Sequence, residues 1–164
     1  ELITSLILNV RSISSAFKAA EKLTSLADQD AQAVSALKDE QERQELLALL
    51  GIREGERVSL SLRAQVRRLE EQQKRRAKRV SSDTLLRSVA QVQTVLRDAL
   101  TVALSAQAPL VNEHLREPLE AFCTRRSAQQ LLEDVQAVEL TLRRLRTNAN
   151  ARLALEALMS RFVY

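Results

Sequence analysis

Two glycines and two prolines in a chain of 164 residues leave few places where the backbone can turn sharply. Long helices are the expected consequence. Leu, Ala, Glu, Gln, Arg and Lys dominate the remainder, and these are the strong helix formers. Aromatic residues make up only 2% of the chain, so a core must be built from Leu, Val and Ala. A chain of this length is expected to form one domain and to bury roughly 70% of its unfolded surface without staples.

Apolar spacing places the helices. Ser12 or Ser14 can cap a first helix, along which Ile13, Phe17, Ala20, Leu23, Ala27, Ala31 and Val34 follow at steps of three and four. The stretch from Ala36 to Glu45 is charged. Leu46, Leu47, Leu49 and Leu50 then cluster ahead of Gly51, a good helix stop. The pattern fits one long helix, or two with a break near Ser35–Asp39. Residues 52–59 contain Gly55 and little periodicity, and read as a loop. From Ser61 a helical pattern returns through Leu62, Val66, Leu69, Gln73 and Val80, and Ser81-Ser82-Asp83 reads as a break and cap. Leu85, Val89, Val92, Leu96, Ala99 and Ala103 then repeat in alternating steps of four and three, widened by Leu86, Val95, Leu100 and Leu104. Ala106–Leu110, with Pro109, ends that helix.

Two short pieces are expected through Asn112, Leu115, Leu119 and Phe122. Pro118 costs about 3 kcal/mol inside a helix, so it belongs in a first turn or at a kink. Ser127 caps the next helix with Gln130 at the capping-box position, and Leu131, Val135, Val138, Leu142 and Leu145 form its stripe. Thr147–Asn150 is a tight joint before a last stripe of Ala151, Leu155, Leu158 and Phe162. Only Leu6–Val10 has any strand character. The expected fold is all-α, a helical bundle of roughly five to seven helices joined mostly by short loops.

Catalytic chemistry finds little purchase. The sequence holds neither the GxxxxGK[ST] phosphate loop nor the GxGxxG turn. His114 and Cys123 are its only soft metal ligands, too few for a structural zinc site. His114 carries no local motif and reads as a surface histidine. Cys123, beside Phe122, reads as a small core residue, although Arg125 and Arg126 could lower its pKa. The adjacent carboxylates Glu70-Glu71, Asp39-Glu40 and Glu133-Asp134 diverge by about 100° on a helix and do not converge on one point. No catalytic residue, cofactor, metal or small-molecule substrate is therefore expected.

A lone cysteine precludes an internal disulfide and suits a reducing, cytoplasmic compartment. No run approaches the roughly 18 apolar residues of a membrane span, so no membrane partner is expected. Leu2–Val10 is short and lacks a basic leader, so it does not read as a signal peptide. Because it begins at Glu1 rather than Met, the chain is expected to be a piece of something longer.

Net charge is +4, and its distribution says more than its size. Arg63, Arg67, Arg68, Lys74, Arg75, Arg76, Lys78 and Arg79 crowd one helical stretch against Glu70 and Glu71. One reading is a phosphate-contacting surface, with DNA as partner. The plainer one is a solvated helix whose long stems cover apolar neighbours. No aromatic residue for base stacking lies between Arg53 and Glu120.

Several runs resemble one family in order and spacing. Arg68-Leu-Glu-Glu-Gln-Gln-Lys-Arg-Arg-Ala-Lys-Arg79 is similar to an LEE-x-QKRR-x-x-R run in a bacterial branch of the DNA polymerase III delta prime subunits. Val95-Leu-Arg-Asp-Ala-Leu100 resembles that family's L-x-R-D-x-L helix. Asn150-Ala-Arg-Leu-Ala-Leu-Glu-Ala-Leu158 resembles its last helix, with N-x-x-L-A-L-E, and Leu46–Gly51 resembles an apolar stop at a comparable place. The likeness runs from about residue 13 to the end.

The resemblance implies the C-terminal collar domain of a clamp-loader subunit, with residues 13–164 as a single helical domain. Residues 1–12 would be a linker or the trailing edge of a preceding lid domain. It implies a non-catalytic role in holding the ring together, with delta and gamma/tau-type subunits as neighbours, at the bacterial replisome. Leu142, Leu145, Asn150, Leu153, Leu155, Leu158 and Phe162 are the candidate interface residues, each of which also reads as core, and for any single leucine core is the plainer reading. Leu153 is the strongest, because it falls off the Ala151–Leu155–Leu158–Phe162 stripe. The alternative is a helical nucleic-acid-binding module whose phosphate contacts are Arg67, Arg68, Lys74, Arg75, Arg76, Lys78 and Arg79.

Overall fold

The computed structural model describes residues 7–52, 59–147 and 149–163 of the chain. Five α-helices occur among them: α1 (Ile13–Leu49), α2 (Leu60–Ala103), α3 (Arg116–Cys123), α4 (Ala128–Arg146) and α5 (Ala151–Ser160). A 3₁₀ turn, Glu113–Leu115, leads into α3. No strand occurs among the described residues, and the fold is all-α as the spacing predicts. Of the stretch with strand character, Ile7 and Leu8 are helical, and Leu6 lies outside the described residues. The expected loop at 52–59 lies outside them too, apart from Ile52 and Ser59, as does Asn148 in the expected joint.

The helices contribute to two compact units, Glu1–Ser25 with Leu85–Tyr164, and Leu26–Thr84. In the first unit, Leu85, Val89, Val92, Val95, Leu96 and Ala99 of α2 are buried along the expected stripe. Against them the unit buries Ile7, Val10, Ala16, Ala20, Leu23, Leu119, Phe122, Leu131, Val138, Leu155, Leu158 and Phe162. In the second unit the buried side chains of α1 are Ala27, Ala31 and Ser35.

Three positions of the first expected stripe are corrected. Ile13, Phe17 and Val34 are exposed. The buried side of α1 is mostly alanine, with Ala16, Ala19, Ala20, Ala27 and Ala31 beside Leu23. After Ala31 the buried face advances by four residues rather than three, which puts Ser35 inside and Val34 out. Ser35 tolerates this because its hydroxyl donates to the Ala31 carbonyl at 2.8 Å. α1 is one unbroken helix through Ser35–Asp39.

The break expected at Ser81-Ser82-Asp83 is also absent, since α2 runs straight through it. Ser81 donates its hydroxyl to Asp28 at 2.6 Å instead of competing for the helix backbone.

Helix ends follow local chemistry closely. Ser12, not Ser14, opens α1. Its Oγ accepts from the Ser15 N–H at 3.1 Å, and its own N–H donates to Ser15 Oγ at 2.9 Å. Gly51, at φ +69°, closes α1 with Ile52 N–H donating to Leu47 O at 2.9 Å and Gly51 N–H to Ala48 O at 3.0 Å. Pro118 sits in the first turn of α3. Ser127 and Gln130 form the expected capping box at α4.

The same left-handed closure ends α2, but with Ser105 at φ +49° in the glycine position. Ala106 N–H donates to Thr101 O, and Ser105 N–H to Val102 O, each at 3.0 Å.

Two buried carboxylates tie the first unit together. Asp98, fully buried, accepts from Val111 N–H (3.1 Å), Asn112 N–H (2.7 Å) and Asn112 Nδ2 (2.8 Å), which fixes the connection after α2. Asp134 on α4 accepts from Arg126 and from Arg161 Nε, the latter at 3.2 Å. The Arg126 guanidinium also lies over the Phe122 and Phe162 rings, 5.2 and 5.7 Å from their centres.

Two substitutions test these features by urea denaturation. Ser105→Gly should raise stability by about 0.5–1 kcal/mol, because it relieves left-handed strain at the cost of some unfolded-chain entropy. Asp134→Ala should lower it by roughly 3–5 kcal/mol, because it strands a buried guanidinium.

Candidate subunit interface and basic helix

The interface candidates from the sequence fall on α4, α5 and the segment that follows. Leu142, Leu145, Leu155, Leu158 and Phe162 are all buried within the first unit and offer almost no surface to a partner. Asn150 caps α5, its Oδ1 accepting from the Leu153 N–H at 3.1 Å. Leu153 is different. It is 62% exposed on the face of α5 away from the buried stripe. Arg152 and Glu156, paired at 2.8 Å, flank it on the helix. Other large apolar side chains exposed in the first unit are Ile13, Phe17, Leu104, Val111, Leu132 and Leu140.

The phosphate-contact candidates lie on α2 within the second unit, and they divide by helix face. Arg76 is only partly exposed. It donates to Asp39 and, at 2.8 and 2.7 Å, to the two oxygens of Glu42. Gln73 Nε2 adds a bond to the Asp39 carbonyl at 2.9 Å. Arg76 therefore clasps α1 to α2 and is not part of an open basic surface. Hydrogen bonding to Arg76 holds the Glu42 carboxyl at about 2, well below its usual range, and Glu42 and Asp39 in turn raise the Arg76 pKa.

The remaining candidates, Arg67, Arg68, Lys74, Arg75, Lys78 and Arg79, are exposed. Arg67 makes a surface pair with Glu71 at 3.2 Å. Leu62, Val66, Leu69 and Val80, on the opposite side of the helix, are partly covered.

The reactive-residue candidates stand apart from these surfaces. His114 is exposed on the 3₁₀ turn. Burial pushes the Cys123 thiol up, and its Sγ donates to the Ala99 carbonyl at 3.2 Å. The lowering by nearby arginines considered from the sequence is not what the structure builds, because Arg126 is engaged with Asp134. Among the described residues no three His, Cys, Asp or Glu side chains gather as metal ligands would, and no helix is long and apolar enough to cross a membrane.

Three clusters escaped the sequence reading: Asp39–Glu42–Arg76, the Asp98 cap, and Arg126–Asp134–Arg161. Asp39–Glu42–Arg76 and Asp134–Arg161 join residues far apart in the chain, and the Asp98 cap reaches across the loop after α2, so spacing leaves no signal for them. In the third, Arg126 and Asp134 are eight residues apart across a helix start, and Ser127 was the only hint that the chain turns there.

An all-α chain whose polar clusters tie helices together within each unit is what the fold and these surfaces define. The sequence model of one family, the C-terminal domain of the DNA polymerase III delta subunit, matches residues 81–163, half of the chain. The chain belongs to this clamp-loader family. No curated protein and no solved structure matches it. The matched span runs from within α2 to the end of the chain's last turn and contains all seven interface candidates, whereas the basic run precedes it. The likeness expected from about residue 13 is thus shown for the clamp-loader family and over the second half of the chain.

The Glu42 carboxyl gives a pH test. Its folded pKa, about 2, lies below the ordinary 4.5, so the stability it contributes is present above about 4.5 and is lost as pH falls towards about 2. Helix content, followed by circular dichroism at fixed subdenaturing urea, should fall in that window. Glu42→Gln should already be weakened at neutral pH and should show a smaller loss across the same window.

Proposed function

We propose that this chain is the collar domain of a clamp-loader subunit of the delta prime type, a non-catalytic oligomerisation module that helps hold the ring together during DNA replication. In this reading residues 13–164 form the collar, and residues 1–12 are a linker or the trailing edge of a lid domain. Its neighbours are delta and gamma/tau-type subunits. The domain needs no cofactor, metal or small-molecule substrate of its own, and it works in the bacterial cytoplasm at the replisome.

The family match over residues 81–163 supports the clamp-loader part of the proposal, and the delta prime type rests on the resemblance of the Arg68–Arg79, Val95–Leu100 and Asn150–Leu158 runs. Physical support comes from how α5 is built. Leu155, Leu158 and Phe162 anchor it in the core, Asn150 caps its start, and Leu153 projects outward. A stable interface hides roughly 800 Å² per partner around a few apolar anchors. Leu153 is the anchor this helix presents. The buried leucines act from behind, setting the position of the helix.

Leu153→Asp tests the role. The side chain is exposed, so helix content by circular dichroism should not change, while co-elution with delta and gamma/tau-type subunits should weaken at least about tenfold. Unchanged co-elution would refute the contact. Competition separates the types, because a delta prime collar should displace delta prime from assembled rings. Displacement of delta instead would overturn the delta prime assignment and leave the family membership standing.

A further inference from the structure

The basic run of α2 lies before the family match, in the second compact unit, so the collar reading gives it no task. Its cations are not scattered. Arg67, Lys74 and Lys78 form one row at steps of seven and four, and Arg68, Arg75 and Arg79 form a second row beside it at the same steps. Both spacings return a residue to nearly the same side of an α-helix. All six side chains are exposed.

Apart from Glu71, the neighbouring acids are placed elsewhere. Asp39 and Glu42 are occupied by Arg76 on the packed side, and Glu70 faces Arg43 at 3.6 Å. Glu71, between the rows, pairs with Arg67 on the open surface. Surface pairs of this kind are weak and exchange readily for another anion. The result is a two-row cationic face whose neutralising groups are mostly turned away from it.

We propose that this face binds the phosphate backbone of duplex DNA without reading its sequence. The two rows extend over about 18 Å of helix axis, and a helix about 10–12 Å across fits a major groove about 12 Å wide. A groove carries phosphates on both walls, which suits two rows better than one. Single strands are the poorer fit, because the face has no aromatic side chain to stack on bases. An anionic membrane is also a poorer fit. Interfacial helices sink the apolar face opposite their cations into the lipid, and here that face, with Leu62, Val66, Leu69 and Val80, is already partly covered within the protein. The proposal does not depend on the collar reading, because none of its residues is an interface candidate.

The test is binding of the full chain to a fluorescent duplex of about 20 base pairs between about 50 and 200 mM salt. Five or so phosphate contacts should give a log–log salt slope of about −4 to −5. The triple variant Arg75→Gln, Lys78→Gln, Arg79→Gln should keep its helix content and lose about two to three units of slope and at least about tenfold in affinity. A control triple with the same charge loss, Arg143→Gln, Arg144→Gln, Arg146→Gln on α4, should leave the slope nearly unchanged. A wild-type slope near zero, equal effects of the two triples, or tighter binding to phosphatidylserine vesicles than to duplex would each overturn the proposal.

Discussion

The placement of α5 rests on one buried ion cluster. Asp134 on α4 receives Arg126 from the turn before that helix and Arg161 from just past α5. The Arg126 guanidinium is held between two phenylalanine rings and also donates to the Arg161 carbonyl at 2.8 Å. Burial pushes the Asp134 pKa upward, against the pull of both arginines. A cluster of this kind contributes little through Coulomb attraction alone, because desolvation offsets most of it. What it supplies is register. Slide α5 along α4 and Arg161 leaves Asp134, while the buried Arg126 guanidinium loses the Arg161 carbonyl where water has little access. The face that α5 turns outward, with Leu153 on it, is set by that requirement.

The second unit solves a different problem. Few of its side chains are fully buried, and the α1 residues that are, Ala27, Ala31 and Ser35, are small. Polar contacts take a larger share of the work there. Arg76, two carboxylates and Gln73 join α1 to α2, and Ser81 meets Asp28. This leaves the other side of α2 free of packing duties. A helix in such a position can carry a dense row of cations at little cost to its own fold, since exposed like charges on water-facing positions repel only weakly through solvent.

Much of the fold was legible because it depends on local chemistry. The stripes on α2, α4 and α5, the capping box at Ser127, the stop at Gly51 and the place of Pro118 all follow from residues within one or two turns of each other. The misses share a cause. Val34 was expected inside and Ser35 lies there, because the buried face of α1 keeps stepping by four through Leu23, Ala27, Ala31 and Ser35. Ser81-Ser82-Asp83 has the composition of a break, yet Asp28 provides a partner that keeps the helix intact. The motifs behind the family resemblance also acquire physical meaning in three dimensions. The aspartate of the L-x-R-D-x-L run is Asp98, which caps the loop after α2, and the asparagine of the last run is Asn150, which caps α5.

The sequence by itself determined that this chain is all-α, where most helices begin and end, and that its relatives are clamp-loader subunits, because periodicity, capping and ordered short motifs are properties of neighbours along the chain. Only the tertiary structure decided which apolar and charged side chains remain on the surface. Helical spacing already set Leu153 apart from the other interface candidates, and packing shows that those others are core or cap while Leu153 stays on the surface. Among the basic residues, packing separates Arg76 from the six cations of the open face. Exposure depends on what lies across from a residue rather than beside it, and partners such as Asp39 for Arg76 lie too far along the chain to leave a local mark.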